Sequence, residues 1–295
     1  MDQTAFFAAQ KNILESLFGK EWFHVAHASR QGHPAYVRWS LCKDLLEKDG
    51  NLRLPDDEPK LHAIAEVILD NALIIQATQG NVQKLTIADL ANLGDDSVLA
   101  RLRGEIKNHG GFLSVMSEIA YAAWHISHGD YVEAYEQPSA ADFRICNHEI
   151  NDPIIVDCKR IDEKSNDQRI AKVIQKANKQ IKYMDQRAFG IAALDISDRI
   201  NNPTDFSDDI PNRVKEHIAL AEKAIAGKNT SVNVVLLIWN DCLIHKDTQP
   251  GTRTPYWVAL RRRSVVVRQP EPRYAIELND ETIQVGNTVE YGIRT

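Results

Sequence analysis

Ile154-Ile155-Val156-Asp157-Cys158-Lys159-Arg160, with Asp142-Phe143-Arg144-Ile145-Cys146 upstream, decides how this chain of 295 residues is read. Apolar and β-branched residues make both stretches strands. The connection from Asn147 to Pro153 ends in Asn-Asp-Pro, which is turn chemistry, so the two strands form a predicted hairpin. Successive side chains of a strand point to opposite faces, which puts Asp157 and Lys159 on one face and Val156 and Cys158 on the other. An acid and a lysine at the end of a strand that opens Ile-Ile-Val are out of place in a buried sheet unless something pairs with them. A symmetric hairpin register sets Asp142 near Lys159, so that two carboxylates and one ammonium converge at one end of the sheet.

Outward from the hairpin, Tyr131 to Tyr135 reads as a short strand and Phe112 to Ser127 as a helix. On the other side come a helix from Asp167 to Met184, a strand from Gly190 to Ile196, a helix from Asn212 to Ala226 and a strand from Val232 to Trp239. Strand, helix, strand in that order implies a parallel crossover, and the tail from Tyr256 onward alternates enough for further strands. The expected architecture is α/β with a mixed sheet.

Gly110-Gly111 punctuates the chain, and the first hundred residues read mostly helical. Ala5 to Phe18 and Leu61 to Ala77 repeat apolar residues at helical spacing; Thr86 to Asp89 resembles a capping box that opens a helix through Leu102. Asn51 to Lys60, rich in Pro and acids, reads as a loop. The division drawn from this pattern is a helical region over 1–108 and an α/β domain over 109–295.

A hydrophobic fraction of 43% with 26% charged residues excludes a disordered or fibrous chain. The N-terminus has no basic start or uninterrupted apolar run, and the longest apolar run, Val234 to Trp239, is far short of the roughly 20 residues a membrane span needs. A cytoplasmic protein with no membrane partner is expected. Cys42, Cys146, Cys158 and Cys242 form no CxxC pair, so they are expected to be buried thiols. The net charge of −6 argues against a generic nucleic-acid coat. Between Lys159 and Arg187, however, nine Lys or Arg stand against four acids. A solvated helix face explains such a run as well as a nucleic-acid contact does.

Two carboxylates beside a lysine are what phosphodiester cleavage needs: the carboxylates hold Mg²⁺, and the lysine orients or deprotonates water and stabilises developing charge. Pro138-Ser139-Ala140-Ala141-Asp142 followed by Ile155-Val156-Asp157-Cys158-Lys159 resembles the PD-(D/E)xK nuclease superfamily, although Ala141 rather than proline precedes the first aspartate. The resemblance implies a restriction-endonuclease-like αβββαβ core over about 112–196. It also implies that Asp142 and Asp157 bind the metal, Mg²⁺ or alternatively Mn²⁺, and that Lys159 is the catalytic lysine. Family members often add a glutamate from the preceding helix, and Glu118 fits that place. A polar residue of the following helix often supports the site, which points to Gln175 and Lys179 on one edge of its apolar face. Arg160, Lys172, Lys179 and Lys182 are the candidates to contact nucleic-acid phosphates, with DNA favoured over RNA.

The implied activity is a Mg²⁺-dependent nuclease in a defence, restriction or mobile-element system, the N-terminal region serving recognition, self-association or a protein partner. The alternative is a non-catalytic nuclease-like fold that binds nucleic acid or assembles with other proteins. Glu133 and Glu136 are rival carboxylates. His24-x-x-His27 and His125-x-x-His128 lack the frame of a zinc site, and Trp22, Trp39 and Trp124 are expected as core or interface anchors. Arg261-Arg262-Arg263 reads as a basic turn leading into a strand, able to touch a nucleic-acid backbone.

Overall fold

The computed structural model describes residues 18–24, 32–47, 109–127, 130–135, 140–146, 153–162, 167–200, 209–227, 230–246, 256–270 and 291–294, together with 8, 11, 12, 14, 15 and 105. The expected helices over 61–77 and 86–102, the loop over 51–60, and residues 147–152 of the hairpin turn lie outside them. Within the expected helix at 5–18, every described residue is helical.

Helices α1 (Lys20–His24) and α2 (Pro34–Glu47) precede α3 (His109–Ser127). There follow β1 (Tyr131–Ala134), β2 (Phe143–Cys146), β3 (Ile154–Arg160), α4 (Gln168–Met184) and β4 (Phe189–Asp195). A 3₁₀ turn (Ser197–Arg199), α5 (Asn212–Ile225), β5 (Val232–Lys246), β6 (Tyr256–Arg268) and β7 (Tyr291–Arg294) complete the order. The fold is α/β. All seven strands form one sheet in the order of the chain. It is mixed: β3, β4 and β5 run parallel, joined through α4 and α5, and the remaining pairs are antiparallel.

Alternation along the strands builds two cores. Ile154, Val156 and Cys158 of β3 join Ile191 and Ala193 of β4 under Tyr121 and Trp124 of α3. On the other face Ile155, Ala192 and Leu194 meet Ile170, Ile174, Ala177 and Ile181 of α4, with Val214 and Ala221 of α5 beside them. Helices on both faces explain why β4 is buried at all seven positions. At its start, Gly190 is required by close approach: a Cβ there would lie 2.1 Å from the Ser231 carbonyl oxygen.

Two departures from the sequence reading have a physical cause. β5 extends past Trp239 through Asn240 and Asp241 because their partners on β6 are Arg262 and Arg261. The acid–arginine pairing keeps polar residues inside the ladder. For the same reason Arg261-Arg262-Arg263 is no turn; it lies within β6, and Arg261 and Arg262 are buried.

The N-terminal helices pack on α3. The Phe112 ring meets Phe18 at 5.9 Å and His33 at 5.7 Å, and the buried Arg38 guanidinium sits 5.2 Å from its centroid. Trp39, stacked on Phe23, and Trp124 are buried anchors, as expected. Among the described residues no helix is long and apolar enough to cross a membrane.

Candidate functional site

The hairpin register pairs Phe143 with Val156 and Ile145 with Ile154. That is one residue off the symmetric register, in which Cys146 faces Ile154 and Asp142 falls beside Lys159, and it brings Asp142 into line with Asp157. The side chain makes up the distance. β2 begins only at Phe143, and the Asp142 carboxylate takes the Cys158 amide at 2.6 Å. The same oxygen, Oδ2, accepts from Lys159 Nζ at 3.3 Å.

Lys159 Nζ also donates to Asp157 Oδ1 at 2.9 Å and to the Cys158 carbonyl at 2.8 Å. Asp142, Asp157 and Lys159 thus meet at one end of β3. Asp157 is fully buried, and its Oδ2 has no hydrogen-bond partner among the described residues. Burial, then the Asp142 charge, push its carboxyl up to about 7 against the pull of Lys159 and Lys176. Burial pulls the Lys159 ammonium down, but Asp142 and Asp157 outweigh it and hold the group above its ordinary value. Lys159 is therefore a cation at neutral pH. In that state it donates hydrogen bonds and stabilises negative charge.

Glu118 is buried on α3, which covers the face carrying the even-numbered side chains of β3. Its charge acts on the Cys158 thiol together with those of Asp142, Lys159 and Asp157. Among the described residues no three His, Cys, Asp or Glu gather tightly enough to hold a metal ion. Strand parity puts Asp157 and Lys159 on the face of β3 away from α3, the helix that bears Glu118. Glu133 pairs instead with Arg144 across β1 and β2, and Glu136 lies outside the described residues.

The choice of edge on α4 is also corrected. Asn178, on the same edge as Gln175 and Lys179, accepts from the Ser231 amide at 2.5 Å, so that edge looks toward β5. Gln175 and Lys179 are exposed. The opposite edge carries Lys176, whose charge acts on Asp157, and Gln180, whose amide donates to the Ala140 carbonyl at 2.5 Å. Gln180 thereby fixes the backbone two residues before Asp142. Both edges flank the apolar stripe equally well on a helical wheel, and only the packing tells them apart.

Arg160 is engaged rather than displayed. It donates to Asp198 at 2.9 and 2.6 Å and stands 3.5 Å from Asp195. Lys172, Lys179 and Lys182 are exposed on α4. Asp195 ends β4 and is buried; it accepts from Ser117 at 2.6 Å and lies near Arg262. Burial raises its carboxyl, but Arg160, Arg262 and the hydroxyls of Ser117 and Ser197 bring it down to about 2. The signal for this cluster was the one used for Asp157, an acid closing an apolar strand. His125 is buried and bonded to Asp130 at 2.8 Å. Cys42 and Cys158 are buried thiols, and Cys146 is half-buried.

Two carboxylates, one with a buried oxygen lacking a partner, suit a Mg²⁺ ion, which is held by one or two carboxylates and keeps several waters. No protein-family model matches the chain and no curated protein matches it, so the chemistry of this cluster has to be read from its own geometry.

Proposed function

We propose that this chain is a Mg²⁺-dependent nuclease of the PD-(D/E)xK type, with a restriction-endonuclease-like core from α3 to β4. One observation carries the reading: Asp157 is fully buried, one of its oxygens is held by Lys159, and the other lacks a partner beside a second aspartate. Lys159 supplies one positive charge for two acids, and leaving the second Asp157 oxygen buried without a partner costs stability unless a further cation joins it. The order helix, three strands, helix, strand around the cluster supports the same reading.

In this scheme Asp142 and Asp157 hold the ion, Mg²⁺ or Mn²⁺, and Gln180 positions the segment bearing Asp142. When bound, the ion polarises the scissile phosphate and acidifies a water molecule. Lys159, held as a cation, donates to the phosphate oxygens as negative charge builds. Exposed lysines of α4 provide favourable charge for a nucleic-acid backbone, and DNA is the favoured substrate.

The test is cleavage of plasmid and single-stranded DNA with and without Mg²⁺, followed by Asp157→Asn and Lys159→Met. Activity that needs the metal and falls at least about 100-fold in each variant is the expected outcome. Full activity in either variant sinks the assignment. That no three ligating side chains gather among the described residues favours one competing reading, a non-catalytic scaffold. Calorimetric titration separates them: a parent protein that binds neither Mg²⁺ nor Mn²⁺ is the scaffold.

A further inference from the structure

Arg199 belongs to the turn after β4 and Arg213 to the first turn of α5, yet both donate to a single oxygen. That oxygen is Asp167 Oδ1, at 2.7 Å from each guanidinium. Arg213 is further held by Glu216 at 2.5 Å. Asp167 stands immediately before α4, and its side chain is about half exposed and makes no capping hydrogen bond to that helix. Two guanidinium groups and the amino end of a 17-residue helix therefore direct positive potential at one solvent-facing point.

His217 supplies a second, independent observation. It lies four residues after Arg213, hence on the same side of α5, and is fully buried with neither ring nitrogen hydrogen-bonded among the described residues. The charges of Arg199, Arg213, Asp167 and Glu216 all act on this ring. Burial, with both arginines, pulls it down to about 4, so at neutral pH one nitrogen donates and the other accepts. Buried polar atoms without partners are uncommon, and beside two arginines they suit an oxygen-rich anion.

We propose that Arg199, Arg213, His217 and the amino end of α4 form a phosphate subsite, in which Asp167 is an internal occupant that a backbone phosphate of a nucleic-acid strand displaces. β3 and β4 run parallel, so the connection from Lys159 to α4 and the turn bearing Arg199 leave the sheet at the same edge. The subsite therefore lies at the edge that carries Asp142, Asp157 and Lys159. The identity of the strand rests on the nuclease reading; the capture of phosphate does not.

Binding is measured on the full chain in the presence of a chelator, so that no cleavage intervenes. The probes are a labelled DNA oligonucleotide without a terminal phosphate and, as competitor, inorganic phosphate. Asp167 and Arg213 have side chains 51% and 38% exposed, so Asp167→Asn and Arg213→Gln keep the fold, with circular dichroism as the control. Asp167→Asn should tighten the oligonucleotide, and Arg213→Gln should weaken it, each by roughly 3- to 10-fold, while Arg213→Gln lowers the salt slope by about one. Phosphate should compete in the parent and compete better against Asp167→Asn.

Equal affinity in parent and variants, shifts of the same sign, absence of competition, or no binding of either probe overturns the proposal. The two readings fail separately. A parent that cleaves DNA while both variants bind unchanged keeps the nuclease and removes the subsite. Opposite shifts in a parent that cannot cleave do the reverse.

Discussion

Burial strips Asp157 of water and Asp142 sets a second acid beside it, and together they push its carboxyl up to about 7. The ordinary value is near 3.8, so between the two the folded chain holds a proton that the unfolded chain has lost. The contribution of this group to stability therefore falls as pH rises from about 4 to about 7 and is flat on either side. Asparagine keeps the shape and removes the charge, at the cost of one partner for Lys159. Without metal at pH 8, Asp157→Asn should be more stable than the parent by on the order of 1 kcal/mol, a rise of a few degrees in Tm. The gap should close as the pH is lowered toward 4. Added Mg²⁺ should raise the melting temperature of the parent and leave the variant unchanged. Thermal scans at three pH values check this, and a variant that melts below the parent at pH 8 contradicts it.

At the scale of the element, α4 decides how the site is served. Its apolar stripe, Ile170, Ile174, Ala177 and Ile181, is legible from spacing alone and does form the buried face. Which polar edge overlies Asp157 is not legible, because that depends on where β5 lies relative to β3, a relation between residues 78 positions apart at Val156 and Val234, the partners of Ile191 on its two sides. The pairing of Asp157 with Lys159 followed from strand alternation. That α3, with Glu118, covers the even-numbered side chains is a packing relation that alternation along β3 does not reveal. The two edges of α4 give a direct comparison. Lys176→Ala removes a charge that lowers the Asp157 carboxyl, so the pH at which cleavage and metal binding set in should move upward. Gln180→Leu should slow cleavage by roughly 10-fold by freeing the Ala140 carbonyl, whereas Gln175→Ala should change little. A pH–rate profile of the three variants separates them. Equal loss from Gln175→Ala and Gln180→Leu would refute the placement.

At the scale of the whole molecule, the boundary drawn at 108/109 cuts through packed side chains. The glycine pair at 110–111 marks a change in pattern but not a gap in the core, since Phe112, one residue later, is fully buried. Its cover comes from Phe18, His33 and Arg38, all on the N-terminal side of the boundary. Local patterning misses this because the contacts join residues 74 to 94 positions apart, and periodicity reports only neighbours along the chain. A fragment of residues 109–295 would expose Phe112 and lose those ring contacts. Re-exposing one phenylalanine costs about 1.5–3 kcal/mol, which in a domain of this size lowers Tm by roughly 5–10 °C. Differential scanning of the fragment and the full chain measures the difference, and light scattering follows association through the uncovered patch. Phe112→Ser in the fragment should restore solubility without restoring Tm. A fragment that melts with the full chain would show that the α/β part carries its stability alone, and the N-terminal helices would then be free to act as a separate recognition or assembly region.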